Sequence, residues 1–171
     1  MNGSWFLVLR AAHVLLAALW LGAAFMLSIF VMPAVRDVGP TGGQFMQTLH
    51  RRRLDAFMAF SAILTVLTGL WLYWRFTAGL DEEVILSPGG LAFGIGGVCG
   101  LLAMILGGAI LGRGFARIAA LGERVTAVPE AERATHVQEI EALRKRLSVA
   151  GKLILLLMVL ALVLMAIGHY I

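Results

Sequence analysis

The chain has 171 residues, 60% of them hydrophobic, and a formal net charge of +4. That size and apolar content leave one domain and no room for a separate soluble one, and the basic residues flank apolar runs, so anionic lipid headgroups account for them and nucleic acid is excluded as a partner. A single cysteine, Cys99, excludes an intrachain disulfide, a CxxC redox pair, a zinc knuckle and a c-type haem attachment motif, and its place among glycines suits a small packing residue.

Four apolar runs, roughly 5–35, 54–76, 91–111 and 149–171, each reach or exceed the ~20 residues a helix needs to cross a ~30 Å hydrocarbon core. The expected fold is all-α, an integral membrane bundle of four transmembrane helices. After the first run, Gly39-Pro40-Thr41-Gly42-Gly43 is a turn cluster. Thr41 is expected to cap a segment that passes through Phe45, Met46 and Leu49 into helix 2, its first turns lying at the membrane interface. The second loop carries Asp81, Glu82 and Glu83, then Ser87-Pro88, a cap and first-turn proline that start helix 3.

Helix 3 is rich in glycine, and Gly90/Gly94, Gly96/Gly100 and Gly108/Gly112 are small-xxx-small pairs that let helix backbones approach closely. The same bare face also offers room for a flat ligand. The third loop holds Pro129, with Glu130 and Glu132 just after it, which suits a helix N-terminus. Downstream, Val137, Ile140, Leu143, Leu147 and Ala150 recur at three- and four-residue steps, and Glu141 stands one turn before Lys145. Helices 3 and 4 are therefore expected to extend as a helical hairpin, with Phe115, Ile118 and Leu121 facing that stripe.

Of the 14 lysines and arginines, only Arg10 and Arg75 lie away from the first and third loops. The positive-inside rule then makes both loops and the hairpin cytoplasmic and puts both termini outside, as in a multi-pass protein of a bacterial-type inner (cytoplasmic) membrane.

His50 lies beside Arg51 and His136 in a charged stretch, whereas His13 and His169 are embedded in apolar runs. Ionisable groups inside a span are costly and point to function. Counted from the cytoplasmic ends at ~1.5 Å per residue, both lie roughly 30 Å up, near the outer face. Two level imidazoles on neighbouring helices are what a bis-histidine b-type haem requires, one axial ligand from each side. Arg10 and Trp20 share the His13 face by spacing, and Arg10 and Arg75 are candidates for binding haem propionates. The plainer alternative has His169 bonded to interfacial water, Arg10 snorkelling, and Trp5, Trp71, Tyr73, Trp74 and Tyr170 forming an aromatic belt. Copper is the rival cargo, with Met165 one turn before His169.

Arg10-Ala11-Ala12-His13 followed by Trp20-Leu21-Gly22, and Arg51-Arg52-Arg53-Leu54 leading to Thr68-Gly69-Leu70-Trp71-Leu72, resemble the first two helices of the HemJ-type protoporphyrinogen oxidases and the related CopD-like membrane proteins. The match covers about the first 76 residues. The resemblance implies a four-helix bundle in which His13 ligates b-type haem or handles porphyrin. Arg10 stands where those proteins usually have lysine, and helix 3 has only glycines and small apolar residues where HemJ proteins carry Lys-Leu and a histidine. The Arg-x-x-Asn-Glu-x-Pro pattern before their last helix is missing too, and the CopD-like branch, associated mainly with copper transport, fits the second half at least as well.

The leading expectation is a haem b protein in electron transfer, or in redox chemistry on a hydrophobic partner such as quinol or porphyrin. The alternatives are a CopD-like copper transport or resistance protein using His13, His169 and Met165, and a structural subunit that forms a homodimer or larger membrane complex through helix 3. No acid–base pair or nucleophile constellation is visible, so no enzyme mechanism is inferred.

Overall fold

A computed structural model describes residues 3–127 and 129–171, with 3, 40, 41, 126, 127 and 130–132 described by backbone only. The described residues form helices throughout, with no strand: α1 Gly3–Met26, α2 Met32–Asp37, α3 Pro40–Arg51, α4 Leu54–Phe76, α5 Glu82–Leu86, α6 Pro88–Leu106, α7 Arg113–Ala127 and α8 Glu130–Ile167. Short π-helical segments, Leu27–Val31 and Gly107–Gly112, join α1 to α2 and α6 to α7. Four helices are long and apolar enough to cross a membrane: Ser4–Asp37, Leu54–Phe76, Pro88–Val125 and Arg133–Ile167. The chain is thus a multi-pass membrane protein by length and composition of its helices.

The widened turns have local causes. Pro33 has no N–H to return to the carbonyl four residues back and its ring crowds that carbonyl, so the turn before it opens into Leu27–Val31. Gly107, Gly108 and Gly112 have open space where a Cβ would sit and impose no side-chain constraint on the second segment.

Ser87 caps α6 as expected, accepting from the Gly90 N–H at 3.1 Å, with Pro88 in the first turn. Two expectations in the first loop need correction. Helix α3 begins at Pro40 with Gly39 as its cap, so Thr41 lies inside the first turn, past the capping position. Nor does α3 run on into α4: Arg53 takes a left-handed conformation, φ 60°, and breaks the helix between Arg51 and Leu54. The break turns an amphipathic segment away from a spanning one, and His50 closes the corner by pairing with Asp55. The second loop holds an unforeseen short helix, α5, capped by Asp81, whose carboxylate accepts from the Glu83 and Val84 N–H groups at 3.1 and 3.2 Å.

The helices pack chiefly as two pairs, α1 with α4 and α6 with α8, with α4 also meeting α6. Trp20 joins the pairs, buried in a cluster with Ala62, Ala103, Ile154 and Met158. Outward faces remain apolar and exposed, for example Leu7, Phe60, Leu67, Val98 and Leu156. An apolar outside around a small, alanine-rich inside is the arrangement that lipid, rather than water, favours.

Beyond the apolar stretch, α7 packs on the first half of α8. Leu121, Ile140 and Leu147 are buried there, whereas Phe115 and Val137 stay exposed. Glu141 and Lys145 are both exposed, and among the described residues an ion pair runs between the two helices, Arg117 to Glu139 at 2.6 Å.

Candidate functional site

Within the first span, His13 turns its ring towards α4. His13 is half-buried, and its Nδ1 lies 3.0 Å from the Thr65 carbonyl oxygen and 3.1 Å from Thr68 Oγ1, both on α4. Beside them is Gly69, where an added Cβ would stand 2.9 Å from His13 Cε1 and 3.4 Å from Nδ1. Real Cβ atoms do not approach that closely, so the imidazole occupies space that only glycine leaves free. The local sequence Thr65-Val66-Leu67-Thr68-Gly69 puts two hydroxyls and a bare Cα on one face of an otherwise apolar helix, at three- and four-residue steps.

The bond to Thr65 requires one tautomer. A backbone carbonyl can only accept, so Nδ1 carries the proton it shares with Thr65, and in the neutral ring Nε2 then holds the lone pair. A metal-binding histidine has this arrangement, one ring nitrogen bonded to a carbonyl and the other bare. The donor chemistry of His13 therefore fits an iron or copper ligand.

The remaining candidates are spread over the bundle. Trp20 is buried in the central cluster, while Arg10 is exposed, so their shared spacing does not give them a shared environment. Arg10 lines a shallow groove of about 600 Å³ with Leu7, Ala11, Val14, Leu15 and Ala18 on the outward side of α1. Arg75 is exposed in the last turn of α4. His169 is exposed just past the end of α8, its ring edge-on to Tyr170 at 5.8 Å. The neighbouring Gly168 rests on the first turns of α6, where its Cβ position lies 3.2 Å from Ala92 Cβ and from Phe93 Cε1. Met165 packs on the same helix, with its Cγ 3.3 Å from the Cβ position of Gly96. The described contacts thus tie His13 to α4 and tie Met165 and the His169 end of α8 to α6, with no contact between the two histidines among them. Nor do three or more His, Cys, Asp or Glu side chains converge anywhere among the described residues.

Two features were not expected from sequence. Thr65, Thr68 and Gly69 are the partners of His13, and their signal is a polar–polar–glycine face inside a span. Tyr73 donates to the Gly90 carbonyl at 3.3 Å and so ties α4 to α6, beyond any part in an interfacial belt. Next to Thr68, on the side of the α1 N-terminus, Trp5, Leu9, Leu67 and Trp71 complete an apolar cleft of about 310 Å³. No family model matches the chain, and neither a curated protein nor a solved structure matches it.

Proposed function

We propose that this is a CopD/HemJ-like protein of a bacterial-type inner membrane that binds one b-type haem through His13 and serves in electron transfer, or in redox chemistry on a hydrophobic partner such as quinol or porphyrin. The observation that carries the reading is the His13 imidazole, held by Nδ1 against a carbonyl and a threonine hydroxyl inside an apolar span. An imidazole in such a place is costly without a task, and its donor pattern is that of a ligand. His169 is the candidate for a second residue that would hold the haem. Arg10 and Arg75, both exposed, are the cations available to carboxylates at the outer end. Bound haem supplies one-electron chemistry, while the protein holds the His13 ring, keeps its proton on Nδ1 and surrounds it with apolar side chains.

In this reading both termini face outward, and the cytoplasmic side carries α3 and an α7–α8 hairpin with most of the arginines and lysines. The amphipathic α3, exposing Phe45, ending at Arg51 and followed by Arg52 and Arg53, lies in the interface, where its cations meet anionic headgroups.

The test is the reduced-minus-oxidised visible spectrum of the purified protein beside His13→Ala and His169→Ala. Sharp b-type bands in the parent, lost in both variants, support bis-histidine haem and electron transfer. Loss in His13→Ala alone leaves an iron position for catalysis. A colourless protein, even after expression with ample haem, sinks the haem reading, and copper titration of the same three proteins follows.

One observation favours a second reading, a subunit of a membrane complex. At Gly97, Gly100, Gly107, Gly108 and Gly112 a Cβ would meet nothing within 4 Å, so much of the glycine surface on this stretch is uncovered within the single chain. A second helix seated there would make both histidines replaceable without loss of assembly.

A further inference from the structure

His13 is held by α4 through two oxygens of different origin. The Thr65 oxygen is a backbone carbonyl, which any residue at that position would supply. The Thr68 oxygen belongs to a side chain, and its hydrogen bonds have a definite direction. Thr68 Oγ1 stands 2.6 Å from the Leu64 carbonyl and 3.0 Å from the Thr65 carbonyl, and it has one proton to give. The shorter bond, to Leu64, takes that proton, which leaves the oxygen lone pairs facing Nδ1–H at 3.1 Å. Thr65 differs: its own hydroxyl donates to the Ser61 carbonyl at 2.7 Å and has no part in holding the imidazole.

We propose that Thr68 is the positioning residue of the His13 site: its hydroxyl, oriented by the Leu64 carbonyl, joins the Thr65 carbonyl in accepting from Nδ1–H, and so fixes the plane of the ring, directs Nε2 as the ligating atom and strengthens its donation. Gly69 is the second part of the device, since it leaves the clearance that lets the ring lie against α4. The proposal deepens the haem reading and rests on it for its redox consequence, but the tautomer and the hydrogen bond belong to the protein without cofactor. A bond from Nδ1–H to a good acceptor gives the imidazole partial imidazolate character, which favours the oxidised metal. Removing one acceptor therefore moves a bound haem's reduction potential upward and weakens ligation.

Four substitutions separate positioning from general damage. In Thr68→Val, haem affinity should fall by about tenfold, the loss typical of removing such a supporting bond, and the potential should rise. Thr68→Ser, which keeps the hydroxyl, should restore both. Thr65→Val, which keeps the carbonyl and loses only the hydroxyl bond to Ser61, should shift both by much less than Thr68→Val does. Gly69→Ala should weaken haem binding while the Nδ1 partners are still present, by pushing on the ring. A potential that moves equally in Thr65→Val and Thr68→Val, or that Thr68→Ser fails to restore, overturns the assignment.

The independent readout is nitrogen NMR of cofactor-free protein carrying 15N-histidine, with His13 identified by difference against His13→Asn. The expected neutral His13 has a protonated Nδ1 and a bare Nε2, with the Nδ1 signal shifted in Thr68→Val and restored in Thr68→Ser. A protonated Nε2 in the parent protein, or an Nδ1 signal indifferent to Thr68→Val, refutes the proposal whatever the protein binds. The expected NMR result in a protein that never takes up haem refutes the haem reading alone and leaves the positioning role standing.

Discussion

In the α1–α4 pair, the space a Cβ would fill at Gly69 is taken by an imidazole, whereas in the α6–α8 pair the same space at Gly96 is taken by the Ala161 carbonyl and the Met165 side chain. Glycine permits close approach in both pairs, but it admits different things. Around Gly96 the neighbours are Ala161, Leu164 and Met165, and the gain is packing. Around Gly69 the neighbour is a polar ring that brings two hydrogen bonds with it. Lipid offers no hydrophobic drive for helices to associate, so van der Waals contact and interhelical hydrogen bonds must do it. The α6–α8 pair relies on the first, while α1–α4 adds the second at one site and thereby holds a titratable group at a definite angle. A helix interface can thus serve as scaffold or as mount, and what differs is the residue opposite the glycine.

Substitutions can break this contrast or sharpen it. The largest effect is expected at Trp20, the residue shared by both pairs. Trp20→Ala should cost on the order of 3 kcal/mol, since large buried aromatics leave cavities that the surroundings fill only in part. Thermal unfolding in detergent micelles should register it as a marked fall in midpoint. Next is Gly96→Leu, which forces α6 from α8 and should destabilise by about 2 kcal/mol through overpacking. In contrast, Gly69→Ala should cost about 1 kcal/mol in the same assay, because the imidazole can swing aside and forfeit only two interhelical bonds worth about 0.6 kcal/mol each. If Gly69→Ala proved as damaging as Gly96→Leu, the two interfaces would be alike and the mount would be a scaffold after all. At Gly97, with open space around it, replacement by alanine should stabilise by about 0.5 kcal/mol through lower backbone entropy. The same substitution becomes unfavourable if a partner helix covers that face, so a loss of oligomer or of stability there would favour the subunit reading. The smallest change belongs to Arg117→Gln. Its ion pair with Glu139 is largely exposed, and the loss should be about 0.3 kcal/mol, fading with added salt.

The four long helices were legible because apolar length is a strong signal, and Ser87-Pro88 was legible because a cap and a first-turn proline act locally. The buried part of the α7–α8 contact was legible in Leu121, Ile140 and Leu147 for the same reason that any amphipathic stripe is. Other features depend on geometry that spacing does not carry. Arg53 breaks the chain by taking φ 60°, which nothing about an arginine announces. Glu141 and Lys145 have ideal spacing along one helix, but Glu139 faces α7 and so finds Arg117 instead. That His13 lies inside an apolar span could be read from the sequence, though its partners on α4 could not. Helical spacing says which face a residue shares on its own helix, and it is silent about which neighbour that face meets. The candidate set therefore dispersed on folding: Trp20 went to the core, Arg10 to the outer surface of α1, and Met165 to α6.

Helix α8 runs unbroken for 38 residues, about 57 Å at ~1.5 Å per residue. Near its middle, Ile154 and Met158 pack in one buried cluster with Trp20 and Ala103. From Ile154 the helix reaches about 36 Å back to its first residue and about 20 Å forward to its last. The same unbroken helix packs on α7 in its first half and on α6 in its second, so one rigid rod fixes the distance between the α7 contact and the end of the bundle that carries Met165 and leads to His169.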